Sequence, residues 1–149
     1  MTQDKELLLK DLCARLPYGV NVEYTFKVTV IATNTEEIIT KPLYLYSINT
    51  LDDMTVSGID NDGYENICFF EEIKPYLFPL SSMTEEQKRE YYSLKHEVPV
   101  CHYEYGDVVE EFELYDSPES FEYLIKNHFD YRGLIPMGIA IDATGKNIY

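Results

Sequence analysis

Positive charge is missing from two long segments of the sequence. No lysine or arginine occurs in residues 42–73 or 103–125, and the whole chain has 12 Lys and Arg against 27 Asp and Glu. The formal net charge of −15 argues against direct binding to nucleic acid and to an anionic membrane, because both repel an acidic surface. A partner that approaches these segments is therefore expected to be basic. Their carboxylates are Asp52, Asp53, Asp60, Asp62, Glu65, Glu71, Glu72, Glu104, Asp107, Glu110, Glu111, Glu113, Asp116, Glu119 and Glu122.

Tryptophan is also absent, so the large apolar side chains come mainly from other aromatic residues. The chain has 14 Tyr and 7 Phe, and 45% of its residues are hydrophobic. Such a composition predicts a folded body with an acidic surface rather than a disordered acidic tail. A length of 149 residues suits a single domain, and we assign residues 1–149 to one.

Cysteine is scarce, and long apolar runs are missing. Cys13, Cys68 and Cys101 are odd in number and form no CxxC or Cys/His cluster, which is typical of reduced thiols in a cytosolic protein. The sequence begins without a charged-then-apolar signal region, and its apolar runs are far shorter than the roughly 18 residues of a membrane span. We therefore expect a cytoplasmic protein with no membrane segment, no cofactor and no metal.

Hydrophobic periodicity predicts an α+β fold with an N-terminal helix at residues 3–16, followed by a strand at Val20–Val30. Further strands are predicted at 37–48, 54–59 and 64–70, and short turns between them indicate an antiparallel meander of four strands. Whether this meander closes into a small barrel is left open. One side of the first strand should pack on the helix through Val22, Tyr24, Phe26, Val28 and Val30.

The second half of the chain predicts helices and an irregular end. Residues 71–83 contain two prolines and predict an irregular crossing segment. A capping box at Thr84 and Gln87 starts a helix that runs to about His96, and Ser117 starts another that ends near His128. Residues 98–115 are interpreted as a hairpin, with a helix at 108–114 as the alternative. The last segment, 129–149, is predicted to be irregular or partly strand.

Three stretches carry a resemblance to a known group of proteins. They are DLCARLPYGV at 11–20, IKPYLFPLSSMTEE at 73–86 and NHFDYRGLI at 127–135. Together they are similar to uncharacterised small acidic proteins of gut Bacteroides and relatives, often associated with phage and other mobile elements. The resemblance implies a genomic setting and no activity, and Phe78 departs from the group, where arginine is expected.

No catalytic or metal-binding pattern stands out. Cys101 and His102 are neighbours on a predicted strand and should point to opposite faces, which prevents joint catalysis or ligation. The run Asp60-Asn61-Asp62-Gly63 resembles a calcium loop only in part and is interpreted as a hairpin turn. The neighbouring carboxylates Glu71/Glu72 and Glu110/Glu111 are most simply solvated surface groups.

The sequence thus favours a non-catalytic accessory or interaction protein that binds a basic protein partner through acidic surfaces and exposed tyrosines. Two alternatives remain: a nucleic-acid mimic that occupies a DNA-binding protein, and a carboxylate-dependent hydrolase. Arg132 is the only cation between Lys126 and Lys146, so we expect it to pair with Asp130 or with an acidic face. The oligomeric state is unknown. The predicted partner-binding residues are Glu110, Glu111, Glu113, Asp116, Asp130, Tyr131 and Arg132.

Overall fold

The computed structural model describes residues 2–51 and 53–149, so Met1 and the predicted acidic-segment residue Asp52 lie outside the described residues. The three helices are α1 (Gln3–Arg15), α2 (Glu85–Leu94) and α3 (Pro118–Lys126). The strands are β1 (Val20–Val30), β2 (Thr35–Asn49), β3 (Thr55–Ile59), β4 (Glu65–Phe69), β5 (Ile73–Leu77), β6 (His96–Glu104), β7 (Asp107–Tyr115) and β8 (Ile141–Asp142).

The predicted α+β class is confirmed, and so are the predicted helix starts at Thr84 and Ser117. The side chain of Thr2 caps α1, and Thr84 and Gln87 cap α2 reciprocally as a capping box. Ser117 caps α3, with Pro118 at the first helical position. These caps satisfy backbone N–H groups that a helix leaves free at its start, and they fix where each helix begins.

Six strands of the described residues form one sheet in the order β4-β3-β2-β1-β5-β8. The first four make the predicted antiparallel meander. The sheet is not closed into a barrel, because β4 and β8 lie at its two opposite edges. Within this sheet, as far as the structure describes it, β8 is the one strand that pairs in parallel, through Tyr76↔Ile141 and Leu77↔Asp142.

Strand β5 corrects the prediction of an irregular segment at 71–83. It pairs antiparallel with β1, with Pro75 opposite Val22. A proline has no N–H, so this pair lacks mutual hydrogen bonds and the nitrogen of Pro75 points toward β8. Since β8 begins its pairing only at Tyr76, the missing donor leaves no gap in the ladder.

The main core lies between α1 and the sheet. Leu8 and Leu12 of α1 pack with Val20, Val22 and a set of residues from the other strands, namely Leu43, Leu45, Val56, Cys68, Phe70 and Ile73. Two smaller clusters bury the C-terminal half, one around Leu77 and Leu134 and the other around Leu124 and Phe129. Among the described helices, none is long and apolar enough to cross a membrane.

The expected inward side of β1 is only partly correct. Val22 is fully buried and Tyr24 packs against the core from its margin, whereas Phe26, Val28 and Val30 are half-buried and lie outside the core cluster. The reason is that β5 pairs with β1 only at residues 22–24 and β3 pairs with β2 only from Tyr44 onward. The outer parts of β1 and β2 therefore extend beyond the rest of the sheet and pair only with each other in the described structure. Period-two alternation predicts which side of the sheet a residue faces, but it does not predict where along the strand that side stops being buried.

Two phenylalanines test this limit of the core. Phe70 is 2% exposed, so Phe70→Ala should lower the free energy of unfolding by about 3–5 kcal/mol. Phe26 stacks on Tyr24 with ring centroids 4.6 Å apart but is half-buried, so Phe26→Ala should cost only about 1 kcal/mol. Urea denaturation of both variants measures the difference, and equal losses would show that the core reaches Phe26.

Candidate interaction surface

Strands β6 and β7 form a separate two-stranded sheet, which we call the ribbon, His96–Glu104 with Asp107–Tyr115. The connecting residues Tyr105 and Gly106 have φ angles of 52° and 86°. Two successive positive φ values are the requirement of a type I′ turn, the tight turn that fits the natural twist of a hairpin. The hairpin prediction for 98–115 is therefore confirmed, and the helical alternative at 108–114 is wrong.

The pairing places the ribbon residues on two different faces. Directly opposed residues share a face, and every second pair along the ribbon lies on the same face. One of the two faces, the acidic face, consists of His96, Val98, Val100, His102, Glu104, Asp107, Val109, Glu111, Glu113 and Tyr115. The opposite, apolar face consists of Glu97, Pro99, Cys101, Tyr103, Val108, Glu110, Phe112 and Leu114. Apart from Val100 and Val109, which are half-buried, every residue of the ribbon is exposed.

The ribbon is fixed to the body at its base. The hydroxyl of Ser117 donates to the carbonyl of Leu94, which joins the start of α3 to the end of α2. The carboxylate of Asp116 accepts from the hydroxyl of Tyr91 and lies 3.9 Å from Nζ of Lys95. Lys95 also lies over the rings of Tyr91 and Tyr92, at 4.8 and 5.2 Å from the centroids. The two strands of the ribbon therefore start from a junction between α2 and α3 that these contacts hold together, and Asp116 belongs to that junction.

The other predicted site residues lie in a different place, beside α1. The carboxylate of Asp130 is 7% exposed and accepts from the backbone N–H groups of Leu134 and Ile135, at 2.9 and 2.8 Å. The expected partner of Arg132 was Asp130 or an acidic face, but the structure places its Nε 3.5 Å from Oδ1 of the buried Asp11. The Arg132 guanidinium also lies 4.8 Å from the ring centre of Tyr131.

Sequence reasoning missed the residue that organises this second group. Arg15 is fully buried, with Nε 2.7 Å from Oδ2 of Asp11 and Nη2 3.1 Å from Oδ1. Nη2 and Nη1 also donate to the carbonyls of Phe129 and Ile125, at 2.7 and 3.3 Å. The i, i+4 spacing of Asp11 and Arg15 in α1 was the only available signal, and it does not distinguish a buried ion pair from a surface one.

His128 borders this group and packs flat against Tyr149, with ring centroids 3.5 Å apart and planes at 11°. Burial, and then the positive charge of Arg15, lower the pKa of His128 to about 4. The imidazole is therefore neutral at physiological pH. Its Nδ1 has no hydrogen-bond partner among the described residues.

Of the residue pairs that suggested catalysis or metal binding, only Glu71 and Glu72 line one cleft of the described structure, of about 280 Å³, which they share with Glu23, Thr25 and Lys74. Cys101 and His102 lie on opposite faces of the ribbon, and so do Glu110 and Glu111. Glu71 pairs with Lys5, while Glu72 accepts from the N–H of Phe69 at 2.9 Å. Burial raises the pKa of the Cys68 thiol to about 11, so it is protonated at neutral pH.

The run at 60–63 is the predicted hairpin turn between β3 and β4. Oδ1 of Asp60 accepts from the N–H groups of Asp62 and Tyr64, at 3.1 and 2.9 Å. Its Oδ2 binds Nζ of Lys41 at 2.9 Å, and this contact together with the Tyr64 N–H lowers the pKa of Asp60 to about 2. The carboxylate therefore serves the turn. Within the described residues no group of three His, Cys, Asp or Glu side chains is placed to hold a metal ion.

A cleft of about 490 Å³ lies beside the outer part of β1, lined by Tyr24, Thr25, Phe26, Lys27, Ile38 and Glu72. Its two charged side chains have opposite sign, and Glu72 is already bound to Phe69 N–H. The cleft therefore offers apolar contact and no convergent set of acids or bases. The ribbon, by contrast, carries acidic side chains together with the exposed aromatic residues Tyr103, Tyr105, Phe112 and Tyr115.

Comparison of the chain with protein families, with curated proteins and with solved structures finds no match. The resemblance to small acidic proteins of mobile elements therefore stays a prediction.

The neutral state of His128 predicts a pH dependence of stability. In the unfolded chain its pKa is about 6.5, whereas in the folded protein it is about 4. Between these values the unfolded chain binds a proton that the folded protein does not, so acidification favours unfolding. The contribution of neutral His128 to the stability of the folded protein should be fully present above about pH 6.5, and it should be lost as the pH falls toward 4.

The matched control is His128→Asn, because asparagine is neutral and tolerates the φ of 63° found here. Urea unfolding of both proteins at several pH values gives the slopes of stability against pH. Wild type should show an additional slope close to one proton in this window. Parallel curves for the two proteins would show that His128 is not held neutral.

Proposed function

We propose that the chain is a non-catalytic interaction protein that binds a basic protein partner through the ribbon. The observation that carries the proposal is a two-stranded sheet that lies outside the main sheet, has both faces uncovered and contains no lysine or arginine. Its six carboxylates are Glu97, Glu104, Asp107, Glu110, Glu111 and Glu113.

Such a ribbon lowers the stability of an isolated domain. A two-stranded hairpin is only marginally stable in water, and like charges close together on its surface weaken it further. Glu111 and Glu113 are two residues apart on the same face of β7 and are both exposed. Cations of a partner would relieve this repulsion, so the ribbon gains stability on binding.

The carboxylates and the apolar face would contribute differently. Exposed ion pairs are each worth only about 0–1 kcal/mol, so the acidic groups mainly attract and orient a basic partner. Affinity would come from the apolar face, where Tyr103 is 83% exposed and Phe112 is 63% exposed. Aromatic side chains that become buried in this way supply most of the energy of many interfaces.

The proposal predicts how the interaction responds to charge. Neutralising Glu110, Glu111 and Glu113 to glutamine should leave folding intact, while capture of the partner becomes slower and less dependent on salt. The partner is first isolated with immobilised wild-type protein from the native host. Its association rate is then measured against ionic strength for wild type and variant.

The control variant carries Glu36→Gln, Glu37→Gln and Asp62→Asn. These three carboxylates are exposed, and within the described part of the chain they make no hydrogen bond or ion pair. Each triple variant changes the formal charge by the same amount, from −15 to −12. Equal salt slopes for wild type and the ribbon variant, or equal effects of both variants, would contradict the proposal. A captured DNA-binding protein would identify the function as nucleic-acid mimicry.

A further inference from the structure

The backbone of the ribbon has one edge that is open to another strand. A two-residue turn makes its flanking pair, Glu104↔Asp107, a hydrogen-bonded pair, after which hydrogen-bonded and non-hydrogen-bonded pairs alternate along the ribbon. Pro99 supports the same assignment independently. It has no N–H and lies opposite Phe112, in a pair that the alternation makes non-hydrogen-bonded.

This alternation shows which backbone groups point outward. Residues of the non-hydrogen-bonded pairs direct their N–H and C=O groups away from the partner strand. On β7 these residues are Val108, Glu110, Phe112 and Leu114. In the described structure no other segment pairs with this edge.

The two edges of the ribbon differ. On β6 the outward residues are Glu97, Pro99, Cys101 and Tyr103, so the edge is interrupted at Pro99, where there is no N–H to donate. On β7 all four outward residues keep their N–H. The outer part of β1 is a further open edge, but Lys27 lies in its middle, and a lysine there discourages strand addition.

Building on the proposed function, we propose that the partner binds by adding a basic β-strand to the open edge of β7. Side chains of the added strand would alternate between the two faces. On the acidic face they would meet Glu111 and Glu113, which favours lysine or arginine. On the apolar face they would meet Val108, Phe112 and Leu114, which favours apolar residues.

Charge excludes a second copy of this chain as the occupant. Pairing β7 with β7 of another molecule would place Glu110, Glu111 and Glu113 of both copies side by side, and like charges on neighbouring strands are destabilising. A strand of alternating basic and apolar residues matches both faces. The occupant is therefore a segment of a basic protein with this alternation.

The test uses a synthetic peptide, Lys-Val-Lys-Val-Lys-Val-Lys, capped at both ends. Amide hydrogen exchange followed by NMR reads each backbone N–H of the ribbon separately. In the free protein Val109, Glu111 and Glu113 should exchange more slowly than Val108, Glu110, Phe112 and Leu114, because only the first set donates to β6. On addition of the peptide the second set should become protected, while Cys101 and Tyr103 of β6 should not.

Two substitutions at Phe112 separate the contribution of its backbone N–H from that of its ring. Phe112→Ala removes the ring, whereas Phe112→Pro removes the ring and the outward N–H without breaking a hydrogen bond to β6. The proline variant should bind the peptide about tenfold more weakly than the alanine variant, because strand addition is blocked as well. Cys101→Pro places the same block on the opposite edge and should leave affinity unchanged.

Protection that appears on β6, or nowhere in the ribbon, would overturn the inference, and so would equal affinities of the Pro and Ala variants. Self-association of the protein through β7 at working concentration would identify a second copy as the occupant and would also overturn it. One further outcome is that the peptide no longer binds when Glu110, Glu111 and Glu113 are neutralised, although Phe112→Pro has no effect on binding. In that case the acidic ribbon is still an interaction surface, but strand addition is rejected. Failure of the proposed function itself is recognised separately, by partner capture that does not depend on these glutamates.

Discussion

A fully buried arginine joins the first helix of this protein to its last. Arg15 binds Asp11 within α1 and donates to the carbonyl oxygens of Ile125 and Phe129, which lie at the end of α3 and just beyond it. Removing one partner of such a buried pair typically costs about 3–5 kcal/mol, because the other charge is left without compensation. This is a large part of the stability of an ordinary domain. The position of α3 relative to α1 therefore depends on this contact.

Much of the C-terminal half is arranged around the same point. Phe129 and Phe78 form a parallel bridge, and Asp130 holds the following turn through the N–H groups of Leu134 and Ile135. His128 stays neutral because it is buried beside the Arg15 guanidinium. Asp11, Arg15 and Asp130 thus have structural partners, which is why the proposed interaction surface is the ribbon and not this group.

Local signals in the sequence predicted the local structure well. The capping residues Thr84 and Ser117 marked two helix starts, and the alternation of β1 gave its bounds. Contacts between distant residues were harder to predict. Strand β5 exists because it pairs with β1 some 50 positions earlier, as in Val22↔Pro75, whereas Pro75 and Pro79 had suggested an irregular segment. The pairing of Arg132 with Asp11 is equally non-local.

The same distinction applies to the interaction surface. The excess of carboxylates at 103–125 was visible in the sequence, and so was the hairpin. The division of Glu110 and Glu111 between two faces depends on the register, which the turn at Tyr105 and Gly106 sets. Composition also could not separate Asp116, which is bound to Tyr91 at the base, from the carboxylates of the ribbon strands themselves.

We propose that the ribbon is an interaction element carried by a body that is stable without it. The direct measurement removes residues 99–112 and joins Val98 to Glu113, a hydrogen-bonded pair, through an Asn-Gly turn. The shortened protein should keep the denaturation midpoint of the full chain and should no longer capture the basic partner. Unfolding of the shortened protein, or capture at the original rate, would contradict it.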